Sequence, residues 1–309
     1  MRDPLSRPRY PRSLMSLKPS WLKVKAPGGE THARLKKLLR ENDLHTVCEE
    51  ANCPNIGECW GSGTATFMLL GSVCTRGCKF CNVQTGNPKG LIDEREPEKT
   101  AAAIASLGLE YIVMTMVNRD DLPDQGAGHV ARTIRLIKIA APALLLETLV
   151  GDFRGDLSCV EAVVDSSPHV FAHNIETTEP LQRRVRDPRA GYAQSLAVLE
   201  HAKKLAPERF TKSSIMMGLG ETDADLEKCF RDLRGVGVDF LTLGQYLQPS
   251  AAHLPVEKFV TPMEFDEWRE RALSAGFKYV ASGPLVRSSY KAGEFYLSSL
   301  IREGSGEKK

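Results

Sequence analysis

Along most of the chain, apolar runs of strand length alternate with stretches where apolar residues return every three or four positions. The strand-length runs fall at 66–70, 111–117, 144–150, 169–175, 213–217, 239–243 and 279–281. Helical spacing lies between most of them, at 96–107, 128–140, 156–165, 192–205, 222–233 and 261–275, with an earlier segment at 31–40 that sets Leu35, Leu38 and Leu39 on one side,. Two helix starts are explicit: Thr222 precedes Asp223 and Asp225, and Thr261 with Pro262 precedes Glu264,. Strand–helix alternation of this kind predicts an α/β fold, a parallel sheet with right-handed crossovers, open or closed into a barrel.

Polar residues gather where the strands end: Asn118 to Asp121, Asp152 to Arg154, Asn174 to Thr177, Gly218 to Thr222, Gln245 with Tyr246, and Gln248. In parallel α/β folds the site is built from loops at the C-terminal strand ends. One such cluster is ordinary turn chemistry. Six in the same topological position favour an enzyme with a large site at one mouth of the sheet.

A length of 309 residues fits one barrel-sized domain with appended ends, or two domains of about 150 residues each,. Hydrophobic residues at 42% and charged residues at 26% exclude wholesale disorder,. The longest apolar stretch, at 139–146, is broken by Pro142 and falls well short of the roughly 20 residues of a membrane span,. The net charge of +2 hides an asymmetry: residues 1–40 hold eleven Lys or Arg against Asp3 and Glu30, net +9, and the body is acidic. Residues 1–29, rich in Pro and basic side chains, read as an extended arm for an acidic partner or as a solvated tail. No apolar run of signal-peptide length opens the chain, so a cytoplasmic protein is expected, with organelle targeting as the weaker alternative.

Cysteine changes the picture most. Six of eight fall between positions 48 and 81, the other two being Cys159 and Cys229 in helical segments. Cys74-Thr-Arg-Gly-Cys78-Lys-Phe-Cys81 directly follows the first strand. Three thiolates from one short loop suit a [4Fe–4S] cluster with one iron left without a protein ligand, and an open position marks a catalytic metal. Zinc, the competing reading, wants four ligands in paired spacing, and no histidine lies within the loop to complete them,. Cys48, Cys53 and Cys59 form a second triplet inside residues 48–65, a stretch dense in Gly, Asn and Pro that reads as irregular structure. Alone it suits a zinc knuckle; beside the first it suggests a second cluster.

The Cys74 loop at the end of the first strand resembles the radical S-adenosylmethionine superfamily. The wider set of motifs is similar to the lipoyl synthase family within it: Cys48-Glu-Glu-Ala-Asn-Cys53-Pro-Asn-Ile-Gly-Glu-Cys59, Gly63-Thr-Ala-Thr-Phe-Met, Arg119-Asp-Asp-Leu, His173-Asn-Ile-Glu-Thr, Thr211-Lys-Ser, Gly218-Leu-Gly-Glu-Thr and Arg287-Ser-Ser-Tyr290. The likeness covers residues 18–292. Departures are small: Met114 and Met116 precede Val117, Gly151 stands before Asp152 and Phe153 where the family usually has proline, and Ser214 stands where glycine is common.

The resemblance implies a partial (β/α)6-type TIM barrel at 63–284, an extension at 30–62 carrying the auxiliary triplet, and a C-terminal extension at 285–309. It implies sulfur insertion at C6 and C8 of a protein-bound octanoyl-lysine, two S-adenosylmethionine molecules per lipoyl group, and two [4Fe–4S] clusters. Cys74, Cys78 and Cys81 are the ligands expected for the radical-generating cluster, and Cys48, Cys53 and Cys59 for the sacrificial one. Its fourth ligand is a serine; Ser288 and Ser289 are both available, and Ser289 is the expectation. Asn174, Glu176, Lys212 and Glu221 are expected as S-adenosylmethionine contacts, with buried ion pairs tying the barrel together as the other reading of these four. Implied partners are octanoylated carrier proteins, namely H protein and the lipoyl domains of 2-oxoacid dehydrogenase E2 subunits, and an electron donor such as ferredoxin or flavodoxin, with neither nucleic acid nor membrane. A methylthiotransferase would add an RNA-binding appendage. A non-catalytic metal protein binding nucleic acid would need a compact basic reader domain, whereas the body of this chain is acidic,.

Overall fold

The computed structural model describes residues 18–24, 26–61 and 65–289. Gly63, Tyr290 and the arm before Lys18 lie outside the described residues. The core is a sheet of seven parallel strands: β2 (Thr66–Leu69), β5 (Tyr111–Met116), β6 (Leu145–Leu149), β7 (Val170–Ala172), β8 (Phe210–Met217), β9 (Phe240–Gln245) and β10 (Tyr279–Gly283). They stand side by side in chain order, and the sheet does not close into a barrel. Of the two forms the alternation allows, the open one is observed, consistent with the partial barrel that the resemblance implies. Its outer edge at β2 takes an antiparallel strand from the N-terminal extension, β1 (His45–Thr46), which pairs His45 with Met68 and Thr46 with Phe67.

The crossover helices are α4 (Glu96–Leu107), α5 (Ala127–Ala140), α6 (Leu157–Asp165), α8 (Tyr192–Leu205), α9 (Asp223–Gly235) and α10 (Pro262–Ser274), with a one-turn α7 (Gln182–Val185) before α8. Three starts, of α6, α9 and α10, are fixed by side-chain caps. Thr222 with Asp225 and Thr261 with Glu264 form reciprocal capping boxes, so two otherwise unmet N–H groups are satisfied at each end,. Asp156 caps α6 through Ser158 N–H,. Glycine closes α4 at Gly108, where φ is 61°,.

Strands β2, β5 and β9 are buried on both faces or nearly so, as parallel strands covered by helices must be,. One apolar cluster runs from α1 (Glu30–Glu41) through β2, β5 and β6 to α4, α5 and α6. A second joins β8, β9 and β10 to α9 and α10. A smaller one, of Tyr111, Val113, Leu145, Val170, Phe210 and Phe240, fills the inner face toward the N-terminal strand ends. Phe210 stacks on Phe240 at 4.8 Å. That floor leaves the opposite mouth for the site.

Residues 48–65, read from sequence as irregular, contain two short helices, α2 (Val47–Glu50) and α3 (Ile56–Gly61). Thr46 caps α2 by accepting from Glu49 N–H, and Trp60 of α3 is fully buried near α1, its ring 4.9 Å from that of His32. Helices of four and six residues are too short for a periodicity to declare itself,.

Candidate active site

The cysteine loop is a built structure. Leu70 and Gly71 turn the chain away from β2 with positive φ, and both N–H groups donate to the buried carboxylate of Glu96, at 2.8 and 3.4 Å. His129 Nε2 lies 2.6 Å from the same carboxylate. A two-stranded parallel ladder, β3 (Val73–Cys74) with β4 (Gln84–Thr85), then clasps the loop at its base.

Charges hold the loop from inside. Arg76, between the first two cysteines, is buried and pairs with Asp120 at 2.9 Å and Asp152 at 2.6 Å. Burial alone would lower its pKa, but these carboxylates raise it above the ordinary arginine value. Asp187 accepts from Gly77 N–H at 2.8 Å and from Arg189. Burial works against its charge, yet the Arg189 and Gly77 bonds keep its pKa at about 2. Backbone N–H groups also meet sulfur: Asp187 N–H donates to Cys78 Sγ at 3.3 Å and Arg76 N–H to Cys74 Sγ at 3.4 Å.

The second triplet faces the first. Cys48 sits on α2 and Cys59 on α3, with Cys53 between them. Asn55, buried in the same loop, donates from Nδ2 to Leu285 O at 2.7 Å, which ties the triplet to the C-terminal segment. That segment lies across the end of β9. Gly244 allows it: a Cβ there would stand 2.1 Å from Val286 O. Arg287 donates to Gln245 O at 3.2 Å.

All six clustered cysteines, together with Ser288, Ser289, Asn174, Glu176 and Lys18, line one cavity of about 450 Å³. Burial pushes the Cys48 and Cys78 thiols up to about 11 and those of Cys59 and Cys81 to about 12. Such thiols ionise when a metal takes the place of the proton. Buried and half-buried sulfur donors in two triplets around a shared cavity, with N–H groups already turned to sulfur, suit iron–sulfur clusters as the resident groups. Among the described residues no three His, Cys, Asp or Glu side chains crowd around the position of a single metal ion.

Asn174 Nδ2 donates to Glu176 Oε1 at 3.1 Å on the cavity wall, and burial raises the Glu176 pKa against the opposing pull of Arg186 and Asn174. Lys212 and Glu221, expected as cofactor contacts, do not line the cavity. Lys212 points into the barrel, where its ammonium pairs with Glu147 at 2.8 Å. The Glu221 carboxylate turns back on Gly218 N–H at 2.5 Å and Leu219 N–H at 2.9 Å. The ion-pair reading of Lys212 is thus the one its surroundings match. Sequence reasoning passed over Arg76, Glu147 and Asp187. Glu147 carried a signal, a lone carboxylate in the middle of the apolar run at 144–150; Asp187 carried none, since the loop residues it holds, Gly77 and Cys78, lie about 110 positions away.

A family model for the N-terminal domain of lipoyl synthase matches residues 7–53, and the radical SAM superfamily model matches residues 68–233. The lipoyl synthase of Sorangium cellulosum is 57% identical over 303 residues, covering 94% of this chain and 82% of that one. The chain belongs to the lipoyl synthase family. A chloroplastic lipoyl synthase of Arabidopsis thaliana shares 55% identity across 93% of this chain and 74% of its own. Among solved structures, Streptococcus suis SuiB bound to S-adenosylmethionine aligns with a TM-score of 0.51 over 78% of this chain and 59% of that one, at 11% identity, a likeness of fold alone. Membership in the lipoyl synthase family makes this chain a radical SAM enzyme that inserts sulfur, with a [4Fe–4S] cluster and S-adenosylmethionine as cofactors and an octanoyl-lysine protein as substrate. Among the described residues no helix is long and apolar enough to cross a membrane.

Proposed function

We propose that this chain inserts two sulfur atoms, at C6 and C8 of a carrier-bound octanoyl-lysine, using two distinct [4Fe–4S] clusters and two S-adenosylmethionine molecules. The observation that carries the reading is the meeting of both cysteine triplets, Ser288, Ser289, Asn174 and Glu176 on one cavity. Cys74, Cys78 and Cys81 would hold one cluster with an iron open to S-adenosylmethionine, and Cys48, Cys53, Cys59 and Ser289 the other. When bound, the first group with S-adenosylmethionine supplies abstraction of hydrogens that no base can remove, and the second supplies sulfur.

The residues set the terms for this. The Arg76, Asp120 and Asp152 pairs fix the loop of the first triplet against the strand ends, where its three cysteines line the cavity and would hold the cluster. Asn174 and Glu176 offer an amide and a carboxyl to the polar end of the cosubstrate. A serine oxygen is a poorer partner for soft iron than thiolate and releases more readily, which suits a group that gives up its sulfur. We assign the carriers to H protein and E2 lipoyl domains, the electron donor to the ferredoxin or flavodoxin class, and the compartment to the cytoplasm, where free thiols persist.

Iron and sulfide counts on anaerobically reconstituted protein, followed by turnover on an octanoylated carrier, test the reading. About eight irons per chain are expected, and labelled sulfide introduced during reconstitution should appear at both new carbon–sulfur bonds. Bound zinc, about four irons, or unlabelled product over many turnovers overturns it.

A further inference from the structure

Lys212 is buried on β8, with a side chain 4% exposed, and its partner Glu147 on β6 is fully enclosed. An ammonium has three N–H donors. Here two go to Glu147 Oε1 and Oε2, each at 2.8 Å, and the third to the backbone carbonyl of Ser288 at 2.6 Å. Tyr111 O–H completes the carboxylate by donating to Glu147 Oε2 at 2.6 Å. The third donor leaves the sheet interior to grip the segment that carries the two serines. Without that segment a buried ammonium would keep an unmet proton, so the barrel interior itself favours docking.

Three further contacts act on the same segment from other sides. Asn55 of the second cysteine loop holds Leu285 O, Arg287 holds Gln245 O, and the bare backbone of Gly244 admits Val286 O. Among these, the Lys212 bond is the one placed on the residue directly before Ser289. We propose that Lys212 is a positioning residue for the auxiliary centre: by holding the Ser288 carbonyl it fixes the register in which the Ser289 oxygen is offered to iron. The inference rests on the assignment of Ser289 as ligand.

Replacing Lys212 alone would strand Glu147, so the test uses the charge-neutral pair Lys212→Met with Glu147→Gln. Gly244→Ala serves as a second variant that disturbs the segment without touching the buried charge. Hydrogen exchange of residues 285–289, read before any iron is added, should quicken by about tenfold or more in both, the loss of one charge-assisted hydrogen bond or its equivalent. After reconstitution with ⁵⁷Fe, the Mössbauer signal of the oxygen-ligated iron should change while cleavage of S-adenosylmethionine continues. Unchanged exchange or an unchanged iron signal in the Lys212/Glu147 pair overturns the proposal. Ser289→Ala measured alongside separates two failures. If it leaves the iron signal unaltered, the ligand assignment fails and takes the proposal with it. If it alters the signal where the Lys212/Glu147 pair does not, the proposal alone falls.

Discussion

Of the thiols in the cavity Cys48 is buried and the other five are half-buried, and each meets a different set of neighbours. Cys78 receives Asp187 N–H, whereas Cys48 sits with Trp60 and Cys53 on the far wall. Because the two triplets belong to separate elements, damage to one should leave the other able to assemble. Cys74→Ala is expected to abolish cleavage of S-adenosylmethionine while the Cys48 triplet still binds iron. Cys53→Ala should leave deoxyadenosine formation and abolish sulfur insertion; equal loss of cleavage in both variants, read by chromatography of the deoxyadenosine, would contradict two independent sites. At this scale the sequence was legible wherever chemistry was local. The cysteine spacing marked the six thiols that line the cavity. Arg76 lay in plain view between two of them, but its role depends on Asp120 and Asp152, which only the folded sheet brings alongside.

Among the elements, the long ones announced themselves and the short ones did not. Capping boxes at Thr222 and Thr261 begin α9 and α10 at the residues the sequence marks. Thr222→Ala removes a side-chain acceptor for Asp225 N–H and should cost about 1 kcal/mol of stability,. The measurement is a denaturant midpoint, and iron content should not follow it down, since α9 contributes nothing to the cavity wall. The strands β1, β3 and β4 have two residues each and carry no alternation to detect. Their pairing is dictated by tertiary neighbours: β1 by the edge of β2, and β3 with β4 by the loop they clasp.

In the whole molecule, polar groups inside the sheet make stability depend on pH. His173 lies buried at the end of β7, its Nδ1 2.9 Å from Val150 O and its Nε2 2.9 Å from Ser195 Oγ. Burial, reinforced by Arg186, lowers its pKa to about 4. The folded chain keeps this imidazole neutral where the unfolded chain would protonate it, so between its ordinary value of about 6.5 and about 4 the unfolded state binds the extra proton,. Stability should therefore be fully present above that window and fall as pH drops through it; His173→Gln should flatten this part of the profile in denaturant titrations at a series of pH values.

The Asn55–Leu285 hydrogen bond has a consequence in time. Its two ends are 230 positions apart. A chain emerging N-terminus first carries Cys48, Cys53 and Cys59 through most of its synthesis before the residues that brace them exist. The Cys74 loop waits less, for Asp187 110 positions on and for His253, whose ring meets Cys81 O across 172 positions. The bracing of the two triplets is thus staggered by translation, and the triplet that comes first along the chain is the last to be braced.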